Sequence, residues 1–181
     1  MRCVIIGGRN LCEGIPDRWA IEYSPSVPLR NGHAGCLQAH RNVWTTITEP
    51  TIILEDDAVI DITRNATPWP DCDVLYLGGQ PTGWTPEPGA HPIPPNSLLW
   101  RTHAYRLNAK AARHLLAQEL PLPWDMATTW RTPLDCRLLW PPIAGQSANH
   151  SSTLHIDLPL SWYDGSKQPT CQTEDTPCRT T

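Results

Sequence analysis

Thr51-Ile52-Ile53-Leu54-Glu55-Asp56-Asp57-Ala58 is the stretch that decides how this chain folds. Its first four residues are β-branched or apolar, the pattern of a central strand buried on both faces. It runs without a break into three carboxylates. Working outward, Arg2-Cys3-Val4-Ile5-Ile6 reads as a second buried strand, stopped by Gly7-Gly8. Between these strands, Leu37, Val43, Trp44 and Ile47 share one face of a helix running from Ala34 to about Ile47, which Glu49-Pro50 ends. Val74-Leu75-Tyr76-Leu77 forms another strand, closed by Gly78-Gly79. Leu98-Leu99-Trp100 and Ala104-Tyr105-Arg106-Leu107 read as short strands. Asn108 then caps a helix through about Leu116, with Ala109, Ala112, Leu115 and Leu116 inward. Arg137-Leu138-Leu139-Trp140 is a last strand before Pro141-Pro142. Strands alternating with helices predict an α/β fold: one domain over residues 1–160, with a mainly parallel central sheet flanked by helices. Residues 161–181 read as a polar, flexible tail.

The remaining segments are rich in breakers. Residues 9–33 carry Gly14, Pro16, Pro25, Pro28 and Asn31-Gly32 and read mainly as turns. Residues 80–96 hold six prolines and two glycines, and no regular element is expected there. A loop of that length inside a compact domain suggests a lid that keeps water from a reaction centre. Proline reaches 20 of 181 residues, about twice the usual fraction. Nine Trp and no Phe mean that indole rings supply the aromatic bulk.

A formal net charge of −4 argues against an electrostatic nucleic-acid binder. No apolar run of about 18 residues occurs, so no membrane span is expected. Val4-Ile5-Ile6 is too short for a secretory h-region. The seven cysteines form no CxxC pair and read as reduced thiols, which gives the expectation of a cytoplasmic protein.

Three adjacent carboxylates at the end of a buried strand are electrostatically costly unless a cation relieves them. The carboxyl ends of strands in open α/β sheets are also where ligands bind. Alternation along an extended segment points Glu55 and Asp57 one way and Asp56 the other. A pair spaced i, i+2 can hold one hard divalent ion and leave room for phosphate oxygens. A solvated acidic turn accounts for the same residues.

Gly35-Cys36-Leu37-Gln38-Ala39-His40-Arg41-Asn42-Val43-Trp44, followed by Ile52-Ile53-Leu54-Glu55-Asp56-Asp57-Ala58, resembles the motif pair of glycosyltransferase family 25, which includes lipooligosaccharide and collagen galactosyltransferases. Asp73–Gly78, Ala104-Tyr105 with the helix through Leu116, Leu122-Pro123-Trp124-Asp125, and Pro142–Gln146 with Ser151-Ser152 resemble its later blocks, in the same order, over residues 33–154. Ala39 stands where the family has Ser, and the stretch between the first strand and Gly35 is short.

The resemblance implies a single GT-A-like domain and an inverting transferase that uses Mn²⁺ or Mg²⁺. It would move a hexose, galactose or glucose, from a nucleotide-sugar donor, a UDP-hexose foremost, to a hydroxyl on a glycan, a protein or a modified DNA base. Asp57 is then the metal ligand, with Glu55 on the ribose or a metal-bound water and Asp56 orienting the backbone or sugar. His150 or His155 is a late ligand. Gly7, Gly8, Gln146 and Ser151 would contact the donor, and Trp84 and Trp124 would stack on the acceptor. Asp125 is the candidate base, although an N-cap role fits it equally; Asp135 is the other candidate base. His40 reads as a structural histidine behind the site rather than a catalytic one. The alternative class is a non-catalytic GT-A-like module that binds a sugar nucleotide or a partner. A metal-dependent phosphotransferase or nuclease finds no Gly-Lys loop and no second carboxylate cluster in the sequence.

Overall fold

The computed structural model describes residues 1–7, 12–94, 97–100, 103–120, 133–147, 149–151 and 156–158. A seven-stranded sheet has β1 (Arg2–Ile6) next to one of its edges. On one side of β1 lies β2 (Ala20–Ser24), and on the other β3 (Thr51–Glu55), both parallel to it. The sheet continues through β9 (Ala104–Leu107), β5 (Val74–Tyr76) and β10 (Cys136–Trp140) to an edge strand, β7 (Gly89–Pro92). Three short ribbons complete the described structure. They pair β4 (Ala58–Ile60) with β11 (Ala144–Gln146), β6 (Gln80–Thr82) with β8 (Leu98–Trp100), and β12 (Asn149–Ser151) with β13 (Ile156–Leu158).

The sheet is mixed rather than mainly parallel. Of its six neighbouring pairs, β3·β9, β9·β5 and β10·β7 are antiparallel. The reason lies between β5 and β9: a parallel return needs a crossover, usually a helix, and the described residues of that connection form only the short strands β6, β7 and β8. The chain therefore re-enters the sheet at the edge where β5 ended, and β9 runs backward between β3 and β5.

Ile52, Ile53 and Leu54 of β3 are fully buried, as the apolar run predicts. Alternation sorts them onto two faces. Ile53 joins Val4, Ile6, Tyr76, Tyr105 and Leu138 under the helices, whereas Ile52 and Leu54 join Cys3, Ile5, Leu75 and Leu139 on the opposite face. Helix α1 (Gly32–Trp44) starts at Asn31, whose side chain accepts from the His33 and Ala34 N–H groups. Helix α2 (Ala109–Leu116) starts at Asn108, as read from the sequence, with the Asn108 side chain accepting from Ala111 N–H. Both helices pack on the Ile53 face through Ala39, Val43, Trp44, Ala111, Ala112 and Leu115. The other face is covered by Trp19, Ile60, Ile62, Trp69 and Ile143.

The proline-rich stretch is not devoid of structure. Its two ends form β6 and β7 because each lies where proline's missing N–H costs little: β6 in a two-stranded ribbon, β7 at the edge of the main sheet. Within residues 9–33, β2 also forms, as an exposed edge strand with Ile21 and Tyr23 facing solvent. Among the described residues no helix is long and apolar enough to cross a membrane. None of the five described cysteines is in a disulfide. Residues 159–181, which include the expected tail, lie outside the described residues.

Asp73 ties three elements together at the amino edge of the sheet. Its Oδ2 accepts from Lys110 Nζ at 2.6 Å and from Asp135 N–H at 2.9 Å, and its Oδ1 accepts from Asn108 Nδ2 at 3.0 Å. Burial pushes this carboxyl up, but Lys110, the Asp135 N–H and Asn108 outweigh it and hold it below the ordinary aspartate value. Its contribution to stability is thus complete above that value and is lost as pH falls through the lowered one. Asp73→Ala is expected to cost about 3 kcal/mol, seen as a lower urea midpoint at pH 7. The difference from wild type should shrink in acid below pH 3.8.

Candidate functional site

The strands β2, β1, β3, β5 and β10 all run in one direction, so Gly7, Glu55 and Gly78 come to the same carboxyl edge. The acidic run sits at this edge. Glu55 is the last residue of β3, and its N–H donates to the His103 carbonyl at 2.8 Å. Asp56 and Asp57 form the turn into β4. Strand alternation stops with Glu55, and the three carboxylates meet different surroundings rather than placing Glu55 and Asp57 side by side.

Glu55 turns toward α1. Its Oε1 lies 3.3 Å from His40 Nε2 and 3.8 Å from Cys36 Sγ. His40 is fully buried, and its Nδ1 lies 2.7 Å from the Tyr105 hydroxyl, which also accepts from Trp44 Nε1–H at 3.0 Å. Tyr105 thus bridges Trp44 and His40, and His40 in turn bridges Tyr105 and Glu55. Burial keeps Tyr105 well above its ordinary value of 10, so it stays protonated. Burial also pushes Glu55 up. The hydrogen bond from His40, the nearby imidazole of His103 and the Cys36 thiol outweigh this and hold it below its ordinary value. Cys12 joins from the β1–β2 connection: its Sγ–H donates to the Glu55 carbonyl at 3.2 Å, and burial pushes its thiol up to about 12.

Asp56 lies against the end of β1. A Cβ placed on Gly7 would fall 2.2 Å from Asp56 Cγ, and Gly7 holds a φ of +148°, where side chains rarely go. Asp57 is buried, at 9% exposure. Its Oδ2 accepts from Gln146 Nε2 at 2.7 Å, and its carbonyl accepts from Ser147 N–H at 2.8 Å. Gln146 is placed for this by the β11·β4 ribbon, in which it pairs with Ala58. Gly7, Asp56, Asp57 and Gln146 are therefore gathered at one place from three separate parts of the chain.

Other residues singled out in the sequence fall elsewhere. Trp84 packs against the core beneath the helices, with its indole N–H buried and without an acceptor among the described residues. Asp135 precedes β10 and pairs with Arg137 at 3.0 Å. It stands at the amino edge, about 16 Å of strand away from the carboxyl edge, and is too far to serve as the base there. Gly8, Trp124, Asp125 and His155 lie outside the described residues, and His150 and Ser151 are described only as members of β12. A cavity of about 430 Å³ opens on the face away from the helices, lined by Arg18, Trp19, Asn65, Thr67, Trp69 and Ile143 among others, and touches none of the acidic run.

Sequence reasoning missed Cys36, His103 and Tyr105 as neighbours of Glu55. For Cys36 a signal existed: it precedes His40 by four residues, which puts both on one helix face. Compared with known proteins, the chain matches no family model and no curated sequence.

Proposed function

We propose that this protein is a metal-dependent inverting glycosyltransferase, moving a hexose from a nucleotide sugar, a UDP-hexose foremost, to an acceptor hydroxyl on a glycan, a protein or a modified DNA base. The observation that supports it best is the meeting of Gly7, Asp56 and the Gln146-bound Asp57 at the carboxyl edge of β1 and β3. There the strand order reverses, with β2 on one side of β1 and β3 on the other, the kind of crevice in which α/β sheets take nucleotides.

The donor set at this edge is hard oxygen, which suits Mn²⁺ or Mg²⁺. Asp57, aided by Asp56, is the residue proposed to hold the ion, which would supply charge neutralisation on the departing diphosphate. Gln146 fixes the direction of the Asp57 carboxylate. Gly7, with no side chain, lets a phosphate approach the backbone. Asp125 is proposed to take the proton of the acceptor hydroxyl as its oxygen bonds to the anomeric carbon and the bond to the diphosphate breaks.

A second reading, a module that binds a sugar nucleotide or partner without turnover, draws support from Glu55, which is engaged by His40 and Cys36 and so does not join Asp57 as an oxygen ligand for the donor's ion. UDP release from UDP-glucose and UDP-galactose separates the two. Release that depends on Mn²⁺ and stops with chelator is expected. Saturable binding without release selects the module, and neither binding nor release overturns both.

A further inference from the structure

The carboxyl edge holds a second donor set of different chemistry from the oxygen pair at Asp56 and Asp57. We propose that Cys36, His40 and Glu55 form a zinc site with three protein ligands and an open fourth position.

The three donor atoms, Sγ, an imidazole nitrogen and a carboxylate oxygen, all lie within 4.8 Å of one another. A tetrahedral Zn²⁺ with bonds of about 2.0 Å to nitrogen and oxygen and about 2.3 Å to sulfur sets its N···O ligand edge near 3.3 Å and its S···O edge near 3.5 Å. The structure has 3.3 Å from His40 Nε2 to Glu55 Oε1 and 3.8 Å from Cys36 Sγ to the same oxygen. Two of the three edges are therefore already near the required length. The helix supplies Cys36 and His40 on one face, and β3 supplies Glu55 opposite them.

The outer contacts also fit. A ligating histidine needs a partner for its other ring nitrogen, which fixes the tautomer and the ring plane. Here the Tyr105 hydroxyl oxygen stands 2.7 Å from Nδ1, itself pinned by Trp44 and stacked beside the imidazole at 5.7 Å between ring centres. Cys36 and Glu55 are only half-buried, which leaves a route for the ion. One thiolate, one imidazole and one carboxylate favour Zn²⁺ over Mg²⁺ or Mn²⁺.

A cysteine nucleophile activated by His40 is the competing use of the same residues. In such a pair His40 would take the thiol proton in competition with its 3.3 Å contact to Glu55 Oε1, whereas a zinc ion uses all three donor atoms together. On zinc binding, the Cys36 thiol releases its proton to solvent. The imidazole would bind the ion through Nε2 and carry its own proton on Nδ1, where the Tyr105 oxygen, 2.7 Å away, accepts it.

The full chain, reduced and stripped of metal, is titrated with Zn²⁺ and separately with Co²⁺, in the absence of any sugar nucleotide. Expected are one equivalent bound, about one proton released per zinc, and a thiolate-to-cobalt charge-transfer band. Cys36→Ser should abolish the band and weaken zinc by on the order of 100-fold, whereas Cys12→Ser keeps both. Cobalt bound without the band, or a band that survives Cys36→Ser, overturns the proposal. Should Cys36→Ser fail to fold by circular dichroism, alkylation of the wild-type chain decides: zinc should protect Cys36, and equal labelling with and without zinc overturns the site. The transferase reading fails separately, because its readout is UDP release with Mn²⁺.

Discussion

Asp57→Asn is expected to lower Mn²⁺-dependent UDP release by on the order of 100-fold or more, with little change in thermal stability. The substitution keeps the shape of the side chain and an oxygen able to accept from Gln146 Nε2, which lies 2.7 Å from the present carboxylate. The carbonyl bond from Ser147 is a backbone contact and is untouched. What disappears is one negative charge at a buried position, 9% exposed, at the mouth of the sheet. Removing one fixed electrostatic contact to a transition state costs about 2.7–4 kcal/mol in well-studied enzymes, a factor of roughly 10²–10³. Gln146→Ala should act in the same direction but more weakly, because it frees the carboxylate without neutralising it. Wild-type release from Asp57→Asn would remove Asp57 from the chemistry and with it the main support for a metal-dependent transfer.

The parts of this architecture that a single sequence reveals are those whose cause is local. Asn108 announces α2 because its side chain satisfies a helix N–H within three residues. Ile52-Ile53-Leu54 announces a strand covered on both faces because each side chain must be buried whichever way it points. Strand direction has no such local cause. β9 looks like any short apolar strand, and its antiparallel placement between β3 and β5 follows from how the chain returns after β5. That placement sets the register Ile53↔Tyr105 and Leu54↔Ala104, which brings Tyr105 beneath α1 and the His103 carbonyl to Glu55 N–H. The neighbours of Glu55 were hidden for this reason, although the acidic run itself was plain. Edge strands were hidden for the opposite reason: Ile21, Glu22 and Tyr23 of β2 are exposed, and prolines sit in β6 and β7, so neither burial nor propensity marks them.

Gly14 carries the largest stability effect expected of a single methyl group. It follows Glu13, whose N–H donates to the Ala58 carbonyl at 3.3 Å and whose carbonyl accepts from Ile60 N–H at 2.8 Å, so the β1–β2 connection is laced to β4 at this point. Gly14 has a φ of +72°, and a Cβ there would lie 1.9 Å from the Ile60 carbonyl oxygen. That oxygen is backbone and cannot swing aside as a side chain does. Gly14→Ala therefore combines the cost of a left-handed alanine, about 1 kcal/mol, with separation of the two segments and loss of their hydrogen bonds. The total is about 3 kcal/mol or more, a large share of the about 5–15 kcal/mol that holds an ordinary domain together. The contrast with Gly7→Ala is informative: there Asp56 Cγ and Oδ2 can rotate away and Asp56 Cβ, at 2.5 Å, must still give, but by less than the backbone oxygen at 1.9 Å from a Gly14 Cβ. Gly7→Ala should lose less stability than Gly14→Ala in urea unfolding, yet lose more UDP release, since it displaces Asp56 at the site. A Gly14→Ala chain as stable as wild type would mean that the β1–β2 connection is not held against β4 in solution. The reverse order of the two activity losses would detach Gly7 and Asp56 from the donor.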